Sequence, residues 1–237
     1  MSAPQQSSIR NQLLAALPPE DFAALQPYLE PVDLTLKQVL IEPNQPIEHV
    51  TFMEAGYTSI AAVDGRSAIE LGIIGREGMV GVPVVLYART SPFNFFVQHD
   101  GRGLRMAASR LEVIIDERPS IHRVLLRYAQ ALSVQTSGTA FVNAEHTVET
   151  RLARWLLMCH DRLDGDDIEI THEFMSMMLG VRRSGVTTAT HVLEGNGLIQ
   201  AKRGVITILD RERLEEMADN AYGLPEAEYA RLMAQGQ

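Results

Sequence analysis

Five polar residues near the carboxyl end of the chain are spaced to share one face of a helix. They are Arg183, Ser184, Thr187, Thr188 and His191. Residues three and four positions apart lie on the same face of an α-helix. Their guanidinium, hydroxyl and imidazole groups are donors and acceptors of the kind that meet base edges in the major groove of DNA. We therefore predict that these five residues read bases.

The segment from 170 to 199 predicts two short helices joined by a tight turn. Thr171 can cap the first helix, and Gly180 follows it, where a left-handed residue lets the chain reverse direction. The second helix is predicted from about Arg183 to Glu194. Its inward side chains are expected to be Val186, Ala189, Val192 and Leu193. An ordinary helical hairpin with solvated arginines is the alternative, but arginines at the start of the second helix favour a helix-turn-helix DNA reader.

A basic hairpin is predicted directly after this segment. Two β-prone runs, Leu198–Ala201 and Val205–Leu209, flank Lys202-Arg203-Gly204, and a glycine suits the turn between them. Such a hairpin forms the wing of a winged helix, and its basic tip can meet a phosphate. Four residues are predicted to contact phosphates without reading sequence: Thr171, Arg182, Lys202 and Arg203.

The distribution of charge supports specific rather than indiscriminate binding. The chain has 21 Lys and Arg against 30 Asp and Glu, a formal net charge of −9, which opposes general attraction to nucleic acid. From Thr171 to Gly204, however, four cations face two carboxylates, a net of +2. A small basic face on an acidic protein is typical of a specific DNA binder.

The first half of the chain has the texture of a β-structure. Between about Pro31 and Ser109, β-prone runs such as Val50–Met53 and Ser59–Val63 alternate with turns such as Ala55-Gly56. Many short strands at regular spacing indicate a sandwich or jelly roll, and glycines from 65 to 81 would interrupt a helix. Two short helices, Asn11–Leu17 and Pro19–Leu25, are predicted before it.

A long helix is predicted from about Pro119 to Asn143. Apolar and small residues step along it by alternating fours and threes, and Ala131 and Gly138 permit close approach of another helix. This stripe could cover the roll's own core or meet a second copy of the chain, and we predict that it forms a dimer. The predicted contact positions are Val124, Tyr128, Ala131, Gln135, Gly138 and Val142.

The remaining segments complete an α+β chain of four parts. A helix is predicted from His146 to Arg162, and helices at Asp210–Met217 and Pro225–Met233 follow the wing. The last two could pack locally, on a second subunit or on polymerase, and local packing is favoured. The predicted parts are a β-roll with N-terminal helices at 1–118, a long dimerisation helix at 119–144, a winged helix-turn-helix at 145–213 and a helical tail at 214–237.

In this order of parts the chain resembles the Crp/Fnr superfamily of bacterial transcription regulators. The strongest likeness runs from Ile170-Thr171 through Gly180 to Leu198-Ile199, and a weaker one lies in the roll at Gly78-Met79-Val80-Gly81. The resemblance implies a cyclic-nucleotide-binding-like roll and a homodimer on a two-fold symmetric operator. The family's base-contacting positions fall on Arg183, Ser184 and Thr188, where members that respond to cyclic AMP usually have Arg, Glu and Arg. We therefore expect a different operator sequence.

The positions that the resemblance assigns to an effector pocket depart from the cyclic-AMP pattern. They are Gly78, Gly81, Val82, Arg89 and Ser91. Val82 stands where the ribose-binding glutamate is expected, and Ser91-Pro92-Phe93 replaces the Arg-Ser pair that holds the cyclic phosphate. Burying that anion without a cation would cost several kcal/mol, and Arg89 is displaced by two residues. We expect no response to cyclic AMP and leave the effector unassigned.

Several other classes of function are disfavoured. One cysteine, Cys159, cannot hold an iron–sulfur cluster, and the scattered histidines share no ligand spacing for haem. Ser176 stands where a His-Glu-x-x-His zinc protease needs its second histidine, so we expect neither an enzyme nor a metal site. The alternative function is a cyclic-nucleotide-type regulatory module acting on a protein partner. The lack of an apolar span or signal-like start predicts a cytoplasmic protein that contacts no membrane. Its expected partners are DNA, a second copy of the chain and RNA polymerase.

Overall fold

The computed structural model describes residues 4–65 and 67–234. The outer limits predicted at residues 1 and 237 therefore lie outside the described residues. The described helices are α1 (Gln12–Ala15), α2 (Pro19–Leu25), α3 (Val82–Val85), α4 (Ala108–Glu117), α5 (Pro119–Glu145), α6 (Val148–His160), α7 (His172–Met178), α8 (Arg183–Gly195), α9 (Arg211–Ala218) and α10 (Leu224–Ala234). The described strands are β1 (Glu30–Leu34), β2 (Val39–Ile41), β3 (His49–Asp64), β4 (Ser67–Ile74), β5 (Met79–Val80), β6 (Asn94–Ala107), β7 (Asp167–Glu169), β8 (Ile199–Lys202) and β9 (Val205–Ile208).

The chain divides into two compact units. The first holds the described residues up to Ile60, residues Ile74–Ser133 and those from Tyr229 onward. The second holds Ala61–Ile73 and Val134–Glu228. The long helix α5 contributes its first half to the first unit and its second half to the second.

The first unit is built on an antiparallel β-roll. Within this unit β1 and β2 pair with β6, β6 also pairs with β3, and β5 pairs with β3, whereas β4 up to Ile73 belongs to the second unit. Glu30 of β1 pairs in register with Arg105 of β6, and their side chains form an ion pair at 3.5 Å. The roll interior is filled by apolar side chains such as Phe52, Val97 and Met106, all nearly inaccessible to solvent. The β-roll predicted from the alternating runs is confirmed.

The two N-terminal helices, α1 and α2, are confirmed, and their starts follow from local chemistry. Asn11 caps α1, because its Oδ1 accepts from Leu14 N at 3.1 Å. The amide of the same side chain donates to the carbonyls of Met53 and Gly78 at 3.0 and 2.8 Å. The cap therefore fastens α1 to the roll. Pro19 begins α2, where its missing N–H costs nothing.

Two features of the first unit differ from the sequence prediction. The turn predicted at Ala55-Gly56 is wrong, because β3 runs unbroken through it from His49 to Asp64. Gly56 has φ +70°, and a Cβ there would lie 2.6 Å from the carbonyls of His99 and Asp100. The glycine therefore marks a close strand approach rather than a turn. Helix α4 was also missed, since its apolar residues resemble a continued β pattern.

The second unit contains the predicted winged helix. Its three-stranded sheet has the order β7-β9-β8, and β7 is a strand that the sequence did not predict. Helix α6 is capped by Thr147, which accepts from Thr150 N at 3.4 Å, so it begins at Val148 rather than at His146. Helix α9 buries Leu214 and Ala218 completely. Among the described helices none is both long and apolar enough to cross a membrane.

Candidate nucleic-acid interface

Helix α7 and its following turn form as predicted. Thr171 Oγ1 accepts from Phe174 N at 3.2 Å and so caps the helix. Gly180 has φ +62°, the left-handed conformation that ends α7 and turns the chain toward α8. Met175 and Met178 are buried and form the inner face. This short helix therefore holds α8 from behind, as the first helix of a helix-turn-helix does.

Helix α8 presents one apolar face and one polar face. Val186, Ala189 and Leu193 are buried as predicted. Val192 was predicted inward but is 38% exposed, and Thr190 is buried in its place. The period of 3.6 residues explains this correction, because 190 continues the 186–189–193 stripe and 192 lies about a quarter turn away from it.

The predicted base-reading residues lie on the polar face of α8. Arg183, Ser184, Thr188 and His191 are exposed, and Thr187 is half-buried. The hydroxyls of Thr187 and Thr188 donate to the carbonyls of Arg183 and Ser184 at 3.0 and 3.1 Å. The O–H donor of each threonine is thus used within the helix, and each hydroxyl oxygen can still accept a hydrogen bond from a ligand.

The wing is attached to α8 by one hydrogen bond and to the residue before the α7 cap by another. In the hairpin, Lys202 pairs with Val205 across a turn in which Gly204 has φ +82°. The carboxylate of Glu194, on α8, accepts from Ala201 N at 2.8 Å, and Gly204 O accepts from Ile170 N at 2.8 Å. These bonds hold the exposed cations Lys202 and Arg203 beside α8.

A groove of about 510 Å³ lies between the start of α7, the polar face of α8 and the wing. Five predicted contact residues line it: Thr171, Arg183, His191, Lys202 and Arg203. The other four predicted contacts, which are Arg182, Ser184, Thr187 and Thr188, are not among its lining residues. Its lining combines three cations, the carboxylates of Glu173 and Glu194 and a capped helix start, and the excess of cations is suited to a phosphate backbone.

Three ionisable residues that line this groove were not predicted by the sequence analysis. His172, Glu173 and Glu194 line it with the predicted residues. His172 Nδ1 lies 3.3 Å from Thr187 Oγ1 and so connects α7 to the polar face of α8. Glu194 holds the wing. The signal for His172 and Glu173 was their position directly after the cap Thr171, because the first turn of α7 opens into the groove.

The predicted effector positions form no cationic pocket. Val82 begins α3 and is 7% exposed, and Pro83 after it has no N–H to offer an anion. Arg89 turns outward, with a side chain 76% exposed that pairs with Glu112 at 2.6 Å. Ser91 is buried, and its hydroxyl accepts from Phe93 N at 3.1 Å. Hydrogen bonding to Glu112 raises the pKa of Arg89.

The two glycines of that set have packing roles. A Cβ at Gly78 would collide with the hydroxyl of Tyr128 on α5. Gly81 has φ +109°, and a Cβ there would lie 2.7 Å from Val50. Their glycine identity therefore follows from close approach and backbone conformation.

The stripe predicted to meet a second copy is covered largely by the chain itself. Tyr128, Ala131, Gln135 and Val142 are each less than a tenth exposed. Gln135 Oε1 accepts from Ile73 N at 2.8 Å within the second unit. In the single chain these four side chains are covered by its own residues, and their role in a dimer stays a prediction. Of the other two positions, Val124 is half-buried, and Gly138 leaves room for Pro225 at van der Waals distance.

Comparison with known proteins identifies the DNA-binding region and the fold. Residues 150–217 match the model of the Crp-like helix-turn-helix domain. A Crp/Fnr-family transcriptional regulator of Eubacterium rectale is 17% identical, with a TM-score of 0.66 over 88% of this chain and 98% of its own. FixK2 of Bradyrhizobium japonicum is 14% identical, with a TM-score of 0.70 over 82% and 99%. A Crp/Fnr-family regulator of Thermus thermophilus is 18% identical, with a TM-score of 0.66 over 81% and 100%. No curated protein matches the sequence.

Proposed function

We propose that this chain, which carries a Crp-like helix-turn-helix domain in the fold of the Crp/Fnr regulators, is a sequence-specific transcription regulator. It binds a two-fold symmetric operator as a homodimer and acts through RNA polymerase. The observation that carries this proposal is the groove beside α8, where Arg183 and His191 face Lys202 and Arg203 of the wing. The chain is acidic as a whole, yet exposed cations lie around this one helix. The major groove of DNA is wide enough to admit such a helix.

Base reading is assigned chiefly to Arg183, at the first turn of α8. An exposed guanidinium there can make a bidentate contact to guanine O6 and N7. Ser184 and Thr188 offer shorter side chains than the glutamate and arginine usual in cyclic-AMP-responsive members, so the operator differs from theirs. Arg182, Thr171 and the wing tip contact phosphates and set the register.

The test compares Arg183→Ala with Arg213→Ala, which removes an exposed arginine on α9 away from the groove. An operator is first selected by the wild-type protein from random duplexes. Arg183→Ala is expected to lose about 1–3 kcal/mol of binding on this operator, while its salt-sensitive affinity for random DNA remains. Arg213→Ala is expected to bind both like the wild type. An unchanged footprint of Arg183→Ala on the operator would reject the assignment.

The exposed face of α5 supports the homodimer. Between Tyr128 and Ala144 this helix contains no charged residue. Its exposed positions nevertheless follow one line at steps of three and four residues, and we call this line the exposed stripe: Leu126, Gln130, Ser133, Ser137 and Phe141. Leu126 is 39% and Phe141 is 59% exposed. A solvent-facing helix surface without charges is better explained by a second copy of α5 than by water.

The roll is proposed not to respond to cyclic AMP. The α3 region offers buried valines and a proline where a cyclic phosphate requires donors, and Arg89 is committed to Glu112. Isothermal calorimetry with cyclic AMP and cyclic GMP is expected to show no heat of binding and no rise in melting temperature. Micromolar binding of either nucleotide would overturn this part of the proposal.

A further inference from the structure

Five residues of the C-terminal segment link α5, α6 and α9 within the second unit. They run from Tyr222 to Glu226, and we call them the strap. Helix α5 ends at Glu145 and helix α6 begins at Val148. We call the two residues between them the joint. The strap contacts the C-terminal end of α6 and the second half of α5. Both contacts lie away from the joint between the two helices.

The first end of the strap is fixed to the end of α6. Arg211 Nη2 donates to Asp161 Oδ1 at 2.7 Å and to Tyr222 Oη at 2.8 Å. The Tyr222 hydroxyl in turn donates to Asp161 Oδ2 at 2.8 Å. Asp161 is the residue that caps the C-terminus of α6. Three side chains therefore form a closed set of hydrogen bonds that anchors Tyr222 to α6 and α9.

The second end of the strap lies against α5. Pro225 is buried, and a Cβ at Gly138 would lie 3.6 Å from its ring. The proline ring therefore packs beside α5 at Gly138, at a distance where a Cβ would make an ordinary van der Waals contact. Glu226 follows, and its carboxylate accepts from Gly223 N at 3.1 Å. The strap is held in a bent conformation by this bond and by Gly223, whose φ is +101°.

A buried guanidinium on α6 connects these elements. Arg154 is 5% exposed, and its Nη2 donates to Thr139 Oγ1 of α5 at 3.2 Å. Burial lowers the pKa of Arg154, while the carboxylates of Glu226 and Glu70 raise it. A guanidinium in this position must stay near its compensating groups, since leaving it uncompensated is costly. Arg154 therefore ties α6 to α5.

We propose that Arg154 and the strap are positioning elements that fix the angle between α5 and α6 and thereby set the operator half-site spacing. The inference rests on the proposed homodimer. In a two-fold dimer, the separation of the two reading helices depends on the angle at which each DNA-reading domain leaves the dimer helix. Half-sites lie about 34 Å apart for one duplex turn, so a fixed angle rejects other spacings.

The test uses the full chain with Tyr222→Phe and Glu226→Gln combined, and Glu226→Gln alone in case the double variant does not fold. Glu216→Gln is the control, because it removes the same charge from an exposed position on α9. Binding is measured on the selected operator, on the same operator with two base pairs inserted at its centre, and on one isolated half-site. Hydrogen exchange is followed at the amides of residues 143–148.

The wild type and Glu216→Gln are expected to lose roughly tenfold or more on the lengthened operator, as for a mismatched base pair. The strap variants should lose less than about threefold there and bind the half-site unchanged. Exchange at the α5–α6 joint should accelerate only in the strap variants. Unaltered spacing discrimination together with unaltered exchange would overturn the inference. If the wild type selects no operator, the proposed function fails instead, and the exchange measurement decides whether the strap holds the joint.

Discussion

The side chains of Trp155 and Glu70 form a buried hydrogen bond between α6 and β4. The indole Nε1 donates to Glu70 Oε1 at 2.6 Å, and each residue is 4% exposed. Replacing Trp155 by Phe removes the indole donor from a buried carboxylate oxygen, so the free energy of unfolding should fall by about 2–4 kcal/mol. Urea unfolding followed by circular dichroism measures this, since Trp155 is the only tryptophan.

The control for that substitution is Val113→Ala, which shortens a 44% exposed side chain on α4. It should change stability by less than about 0.5 kcal/mol. Equal losses in the two variants would show that the indole–carboxylate bond does not hold β4 on α6.

Residue roles that depend on the local backbone could be predicted from the sequence. Thr171 as a cap and Gly180 as a left-handed turn required only their immediate neighbours. The bond between Trp155 and Glu70 could not be predicted, because the two lie 85 positions apart. The packing of Gly78 against Tyr128 was equally invisible, since a glycine in a turn motif suggests a ligand pocket as readily as a close contact.

The wing hairpin is expected to contribute salt-dependent affinity without sequence preference. Replacing both Lys202 and Arg203 by alanine removes two exposed cations at its tip. The slope of log K against log salt concentration should become shallower by about 2, since each phosphate contact contributes about 0.9. Preference among operator sequences should stay unchanged.

The matched control for the wing is Lys37→Ala combined with Arg213→Ala. This variant loses the same charge from exposed positions outside the groove. Fluorescence anisotropy at several salt concentrations should give it the slope of the wild type. If both double variants had equal slopes, the wing tip would not contact phosphates.

Tyr222 makes the attachment of the strap sensitive to alkali. Burial, with Asp161 nearby, raises the pKa of this phenol above its ordinary value of 10.0. A raised pKa means that the folded state binds the proton more tightly than the unfolded state. The stabilisation is therefore complete below pH 10 and is lost as the pH rises above it. The unfolding free energy of the wild type should fall more steeply above pH 10 than that of Tyr222→Phe, and parallel curves would contradict this.

Elements with a strong period were predicted well, and those without one were missed. The start of α2 followed from Pro19 at its first position, and the bounds of α8 followed from its apolar spacing. Strand β7 has only three residues, and α4 directly follows β6 with no glycine or proline between them. Neither boundary has a local signal, so tertiary packing decides both.

At the scale of the whole molecule, the sequence predicted the order of parts but not which face of α5 is free. A helix that is apolar on one side and uncharged on the other has two stripes with the same period. Hydrophobic spacing alone favoured the stripe through Tyr128 and Gln135. The structure shows that this stripe is covered within the chain, because tertiary packing buries Tyr128, Gln135 and Val142.

The exposed stripe on α5 therefore predicts where dimerisation can be broken. Ser137→Glu combined with Phe141→Glu places two carboxylates of each copy within the segment between Tyr128 and Ala144, which contains no opposing charge. Burying unpaired charges costs several kcal/mol, so the variant should sediment as a monomer at concentrations where the wild type is a dimer. Because both positions are exposed in the single chain, its melting and circular dichroism should show an intact fold. Val113→Glu, which adds a charge at an exposed apolar position on α4, should remain a dimer.

The monomeric variant should also lose its preference for a two-fold operator over an isolated half-site, although Arg183 is intact. A wild-type protein that sediments only as a monomer, with or without operator, would contradict the dimer at its root, because the two recognition helices would then have no fixed separation.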